Sequence, residues 1–197
     1  MASFDFDGTS PLKADRHYTY QDYRSWPEEE RWELFHGTAF AMSPAPQRIH
    51  QGLVVRLLVQ LSAFFEGKSC KPYVAPVDVF FPDGDEALDD IDLVLQPDLM
   101  VVCDPGKLID EGIRGAPDLI IEVLSPGTAM RDQTDKRDIY EKKGVREYWV
   151  VNPHTFEVLV YSLKDAAYGL PVPASLNSPI PVGIFPGLSL SAKKSEL

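Results

Sequence analysis

Gln96-Pro97-Asp98-Leu99-Met100-Val101-Val102 and Gly115-Ala116-Pro117-Asp118-Leu119-Ile120-Ile121-Glu122-Val123-Leu124-Ser125-Pro126 each set a Pro-Asp pair before a short apolar run. Runs of this length, rich in Val, Ile and Leu and bounded by Pro, Gly or Ser, predict strands over 96–103 and 118–124. Glu122 interrupts the second run. A carboxylate at a buried strand position is costly unless it is paired or metal-bound. Beyond it, Thr128 to Lys143 reads as a polar helix stopped by Gly144, with Asp132, Lys136 and Tyr140 spaced four residues apart. Asp132 with Asp135 resembles a capping box with Asp in place of Glu.

Working outward, the 104–117 segment between the two strands reads as a Gly-rich loop. Upstream, 70–81 is predicted as one strand with Pro76 near an edge or bulge. From Gln47 to Glu66, the three- and four-residue spacing of Ile49, Leu53, Val54, Leu57, Leu58, Leu61, Phe64 and Phe65 predicts an amphipathic helix closed by Gly67. His50 lies beside that stripe, either as a hydrogen-bonded structural group or as a substrate-contacting one. Residues 31–42 read as a hairpin turning at His36-Gly37, and Thr19 can cap a short helix running to Glu30 with Pro27 dividing it. Downstream, Glu147-Tyr148-Trp149-Val150-Val151 and 156–161 form a second hairpin, 164–181 reads as loop, and Ile184 to Leu190 as a last edge strand. The order predicts an α/β or α+β domain over 18–190, between a flexible leader at 1–17 and a tail at 191–197.

A chain of 197 residues that is 44% hydrophobic can bury one real core. No apolar run reaches the roughly 20 residues of a membrane span, and the acidic N-terminus lacks the order of a signal peptide. Cys70 and Cys103 have neither metal-ligand spacing nor a disulfide framework, so buried free thiols and a cytoplasmic location are the expectation. The net charge of −11 argues against binding nucleic acid by bulk electrostatics. Much of it is local: residues 78–111 hold eleven acids and one base, whereas 131–146 hold six bases and four acids.

Asp98 and Glu122 adjoin rigid apolar strands, and Lys136 follows on the next helix. Mg²⁺ takes one or two carboxylates plus waters and substrate oxygens, which suits phosphodiester hydrolysis. Each residue also has a plainer reading. Asp98 and Asp118 could end turns, Glu122 could face solvent, and Lys136 could pair with Asp132 or Tyr140 along its helix.

The blocks quoted above, with Asp132, Lys136, Tyr140 and Gly144-Val145-Arg146-Glu147-Tyr148-Trp149-Val150-Val151-Asn152-Pro153, resemble the Uma family of bacterial restriction endonucleases, within the PD-(D/E)XK nuclease superfamily. Trp32-Glu33-Leu34-Phe35-His36-Gly37, Met42-Ser43-Pro44-Ala45-Pro46 with His50, and Phe185-Pro186-Gly187-Leu188 extend the likeness over about residues 18–190. The resemblance implies a restriction-endonuclease-like mixed β-sheet flanked by helices and a Mg²⁺ or Mn²⁺ cofactor. Asp98 would be the metal-binding Asp, Glu122 its acidic partner and Glu33 an additional N-terminal acid. The superfamily's lysine normally lies two residues after the acid; that position is Leu124, so Lys136 becomes the candidate. His50, Ser125, Asp132 and Tyr140 would support these groups.

Two readings follow. One is a metal-dependent endonuclease acting on DNA, with a homodimer suited to cutting both strands and the aromatic 147–161 hairpin as a self-associating edge. The other is a catalytically impaired nucleic-acid-binding or assembly module on the same fold, favoured by the acidic charge and the displaced lysine. A different metal-assisted hydrolase or an RNA-directed nuclease would also fit, because fold does not settle substrate.

Overall fold

The computed structural model describes residues 16–27, 30–42, 47–125 and 134–196. Among these, a one-turn helix α1 (Tyr20–Tyr23) precedes the hairpin β1 (Trp32–Phe35) and β2 (Thr38–Ala41), then α2 (Arg48–Phe65) and β3 (Lys71–Val74). Next come β4 (Val79–Phe80), β5 (Val94–Leu95), β6 (Leu99–Val102), β7 (Leu108–Ile109), β8 (Gly112–Arg114) and β9 (Leu119–Val123). The chain continues through α3 (Asp135–Lys143), β10 (Glu147–Val151), β11 (Glu157–Lys164), β12 (Ala167–Tyr168), β13 (Val172–Ser175), β14 (Ile180–Pro181) and β15 (Ser189–Leu190).

The main sheet, in the order β12-β11-β10-β9-β6-β3 with β13 also on β11, is mixed. β9 and β10 run parallel, whereas β6 and β11 flank them antiparallel. Side chains alternate across a strand, so the two faces of this sheet build two cores. On one face, Leu99, Val101, Leu119, Ile121, Val123 and Trp149 pack under the α2 stripe and the C-terminal segment from Leu176 to Ala192. On the other, Met100, Ile120, Tyr148 and Val150 meet Ile139 and Tyr140 of α3 and residues of a second sheet, including Val79, Leu95 and Ile113. That second sheet has the order β2-β1-β5-β4-β8-β7. Its outer face is covered by Tyr18, Tyr20 and their neighbours. This is the mixed α+β architecture expected from the sequence.

The 47–66 helix forms as its stripe requires, with Leu53, Leu57 and Leu61 fully buried. The first hairpin turns where expected: His36 and Gly37 take φ of +47° and +78°, the left-handed pair that the twist of a tight hairpin needs.

Other expectations are corrected. The first helix is a single turn rather than a run to Glu30. The 70–81 strand is two strands in different sheets, because β3 pairs with β6 whereas β4 pairs with β5 and β8. The 104–117 loop contains the β7–β8 hairpin, 164–181 contains three short strands, and the last strand shrinks to Ser189–Leu190, paired with β14. The proposed helix start near Thr128 and the capping pair at Asp132 lie outside the described residues. Tyr148 and Trp149 offer no self-associating edge: β10 is an interior strand and both rings are fully buried.

The cysteines are not free thiols. Lys71 faces Val102 in the antiparallel β3–β6 register, so the next rung sets Cys70 opposite Cys103, and they are joined as a disulfide with sulfurs 2.09 Å apart. Cysteine usage therefore no longer argues for a reducing compartment. Among the described residues no helix is long and apolar enough to cross a membrane.

Leu57 and Val55 sit on opposite sides of α2, fully buried and 55% exposed. In urea denaturation, Leu57→Ala is expected to cost about 2–5 kcal/mol, and Val55→Ala to stay within about 0.5 kcal/mol. Similar losses at both positions would contradict the assigned packing of α2.

Candidate active site

The β6–β9 register pairs Leu99 with Ile121, so the following rung opposes Asp98 to Glu122 at the end of the main sheet. Their carboxylates are locked reciprocally. The Asp98 amide donates to Glu122 Oε2 at 3.2 Å, and the Val123 amide donates to Asp98 Oδ2 at 2.8 Å. Asp98 Oδ2 also lies 3.2 Å from His50 Nε2, from the first turn of α2. His50 is thus buried against a site carboxylate as well as beside the helix stripe.

Lys136 and Tyr140 are separated by one helical turn and project from the same face of α3. Both are buried. Lys136 Nζ lies 2.9 Å from Glu122 Oε1 and 2.9 Å from Glu33 Oε1. The Tyr140 hydroxyl donates to the same Glu122 oxygen at 2.9 Å. Burial, and then the charge of Glu122, push the Tyr140 phenol well above its ordinary range, so it serves as a neutral donor. Glu33 arrives from β1 of the second sheet, and its Oε1 also accepts the Gln96 amide at 2.9 Å.

The structure therefore brings Asp98, Glu122, Lys136, Glu33, His50 and Tyr140 together. Ser125 lies just past the end of β9, half-buried, and Asp132 lies outside the described residues. Asp118, at the other end of β9, accepts from the Cys103 amide at 2.9 Å and from Arg146 Nη1 at 3.1 Å; it holds the strand rather than the site.

The donor set suits a hard divalent cation. Glu33 and Glu122 share the Lys136 ammonium, and Asp98 faces Glu122 across the β6–β9 pairing. Asp98 Oδ1 makes no hydrogen bond among the described residues, and its side chain is 23% exposed. Three or more His, Cys, Asp or Glu groups clustered as a ready-made cage do not occur among the described residues. Two carboxylates completed by waters and phosphate oxygens would meet the needs of Mg²⁺ or Mn²⁺.

Sequence reading missed the shell behind Glu33. The buried Gln96 side chain accepts Nε and Nη2 of Arg31 at 3.0 and 2.7 Å. Its Nε2 donates to Asp78 Oδ1 at 2.8 Å and to the Tyr23 hydroxyl at 3.1 Å, and that hydroxyl donates to Asp78 Oδ1 at 3.0 Å. The available signal was a glutamine ending the apolar run Leu93-Val94-Leu95.

Fold and site together define a restriction-endonuclease-like protein. The structure is similar to a crystal structure titled as a "putative nuclease belonging to DUF820" from Anabaena variabilis, with a TM-score of 0.69 and 21% identity over 88% of this chain and 94% of that one. An uncharacterized protein from Synechocystis is 26% identical over 157 residues, 74% of each chain. The profile of the Uma2 family, described as "Putative restriction endonuclease", matches residues 20–193, and the chain belongs to that family.

Burial raises the Asp78 carboxyl above its usual range. Its contribution to stability is therefore complete below the unfolded value, near about pH 4, and is lost as pH rises through the raised one. Asp78→Asn keeps an acceptor for Tyr23 and Gln96 without the charge. Its stability relative to wild type, measured in urea, is expected to rise between about pH 4 and pH 8. A flat or falling difference would contradict this.

Proposed function

We propose that this protein is a divalent-metal-dependent endonuclease that hydrolyses DNA phosphodiester bonds at Asp98, Glu122 and Lys136. The observation that carries this reading is the buried Lys136 ammonium, 2.9 Å from both Glu122 and Glu33. It supplies a lysine to the acidic pair although Leu124 occupies the usual lysine position. The family description, restriction endonuclease, supports the same reaction class.

Asp98 and Glu122, with Glu33 as the further acid, would hold Mg²⁺ or Mn²⁺. Such an ion, when bound, polarises the phosphate and lowers the pKa of the attacking water. The chain's own groups do the rest. Lys136 orients the nucleophilic water and offsets the negative charge that develops on the phosphate. Tyr140 and the Asp98 amide fix the Glu122 carboxylate, while His50 and the Val123 amide fix that of Asp98. These contacts occupy Asp98 Oδ2, so Oδ1 is the oxygen that would be offered to such an ion. Ser125 and Asp132 are assigned supporting roles. A homodimer would bring two such sites to the two strands of a duplex, and a DNA substrate keeps the cytoplasm as the expected compartment.

Asp98→Asn is the cleanest test, because Asp98 is the most exposed of the three acids and Asn retains an acceptor for the Val123 amide. With supercoiled plasmid and Mn²⁺ or Mg²⁺, the variant is expected to cleave about a hundred-fold more slowly than wild type, or less. Saturable Mn²⁺ binding by calorimetry should weaken with it, and the thermal midpoint should stay within a few degrees. Wild-type cleavage by Asp98→Asn would sink the assignment. Saturable metal binding with no cleavage by the wild-type protein would favour the impaired binding module.

A further inference from the structure

A protein with net charge −11 needs local cations wherever it meets a phosphate backbone. Lys136, held between two carboxylates, is assigned to the scissile phosphate and its water and supplies no cation to the rest of the backbone. Arg31 is different. It is exposed, yet its guanidinium is fixed from behind by two hydrogen bonds to Gln96 Oε1, at 3.0 and 2.7 Å. An arginine held through Nε and one terminal nitrogen has lost most of its rotamer freedom and still has donors to give.

Its position is set by the same strand that carries Glu33. The Met42 amide donates to the Arg31 carbonyl at 2.8 Å, so the ladder of the first hairpin extends to residue 31. Arg31 and Glu33 are therefore two residues apart on the same face of that strand. Gln96 joins them a second time, because its amide donates to Glu33 Oε1 while its side chain holds Arg31. The Gln96 amide group is itself fixed, with Nε2 shared between Asp78 Oδ1 and the Tyr23 hydroxyl. Two residues later the chain reaches Asp98. A rigid guanidinium thus stands on the strand face that carries Glu33, two residues away, and Gln96 holds both.

We propose that Arg31 contacts a backbone phosphate of the DNA substrate, next to the scissile position, with Gln96 as the positioning residue that orients it. This rests on the DNA-directed reading above. A planar, pre-oriented fork can bind two phosphate oxygens at once, and the anchoring removes part of the entropic cost of ordering a long side chain on binding. The contact is to the backbone, so it adds affinity without sequence preference.

The test is equilibrium binding of the full chain to a fluorescently labelled DNA duplex, by anisotropy, in Ca²⁺ in place of Mg²⁺ and over a range of salt. Plasmid cleavage in Mn²⁺ is followed in parallel. Arg31→Gln is expected to weaken binding about ten-fold and to lower the slope of log K against log salt by about one. Arg31→Lys, which retains the charge but not the fork, is expected to recover the slope and only part of the affinity. Gln96→Leu leaves Arg31 in place but unanchored, and is expected to lose affinity with the slope retained. Thermal midpoints report whether each variant is folded; Arg31, being exposed, should tolerate replacement.

Unchanged affinity and slope in Arg31→Gln, with cleavage by the wild type intact, would overturn the role of Arg31 and leave the nuclease reading standing. Arg31-dependent binding without any cleavage would overturn the hydrolytic reading and support the phosphate contact. Absence of DNA binding by the wild-type protein at low salt would overturn both.

Discussion

An ammonium buried between two carboxylates is the constraint on which the architecture turns. Lys136 comes from α3, Glu122 from the main sheet and Glu33 from the second sheet, so this one group joins three structural units. Ionised groups lose several kcal/mol of hydration on burial, and removing one partner of such a set costs about 3–5 kcal/mol. A hydrophobic replacement of the whole set could be as stable or more so. Stability alone therefore gives little account of this set, whereas the proposed reaction would need acids and a cation in one place.

The positions of the acids follow from backbone register. Once β6 and β9 pair with Leu99 opposite Ile121, Asp98 and Glu122 must face each other, and each strand's amide reaches the other's carboxylate. The apolar residues before and after them lie in the core and resist sliding, because a one-residue slip would turn every core side chain to the wrong face. Glu147, another buried acid, shows the contrast. It is satisfied by Trp149 Nε1 at 2.7 Å and the Ile184 amide at 3.0 Å. It anchors the C-terminal segment and stands apart from the site.

The strands expected over 96–103 and 118–124, the long α2 helix and both main hairpins were legible in the sequence, and the grouping of Asp98, Glu122 and Lys136 was what the family resemblance implied. The elements rest on apolar runs with a recognisable period or boundary, and Glu122 stood out as a carboxylate within one, whereas Lys136 sits in a polar helix and was singled out by the family pattern. What was not legible depended on pairings distant in the chain. The disulfide needs the β3–β6 register before Cys70 and Cys103 can be seen as neighbours. The split at Pro76 needs to be known as a change of sheet, which a single continuous apolar run conceals. Strands of two residues, such as β4, β5 and β14, have no periodicity of their own and exist because a neighbour pairs with them. The shell of Tyr23, Asp78 and Gln96 draws on three separate segments, and its only mark was one glutamine before Pro97.

Lys136 reaches the acidic pair from a helix instead of from the position of Leu124, and the proposed chemistry asks only that its ammonium stand beside the ion, whichever element carries it. A crystal of the protein soaked in Mn²⁺ and measured at the manganese absorption edge tests this most directly. An anomalous peak is expected within about 2.5 Å of carboxylate oxygens from both Asp98 and Glu122, with the Lys136 amine beside it. A peak elsewhere, or none at saturating Mn²⁺, would contradict the assignment of these residues as a metal-dependent nuclease centre.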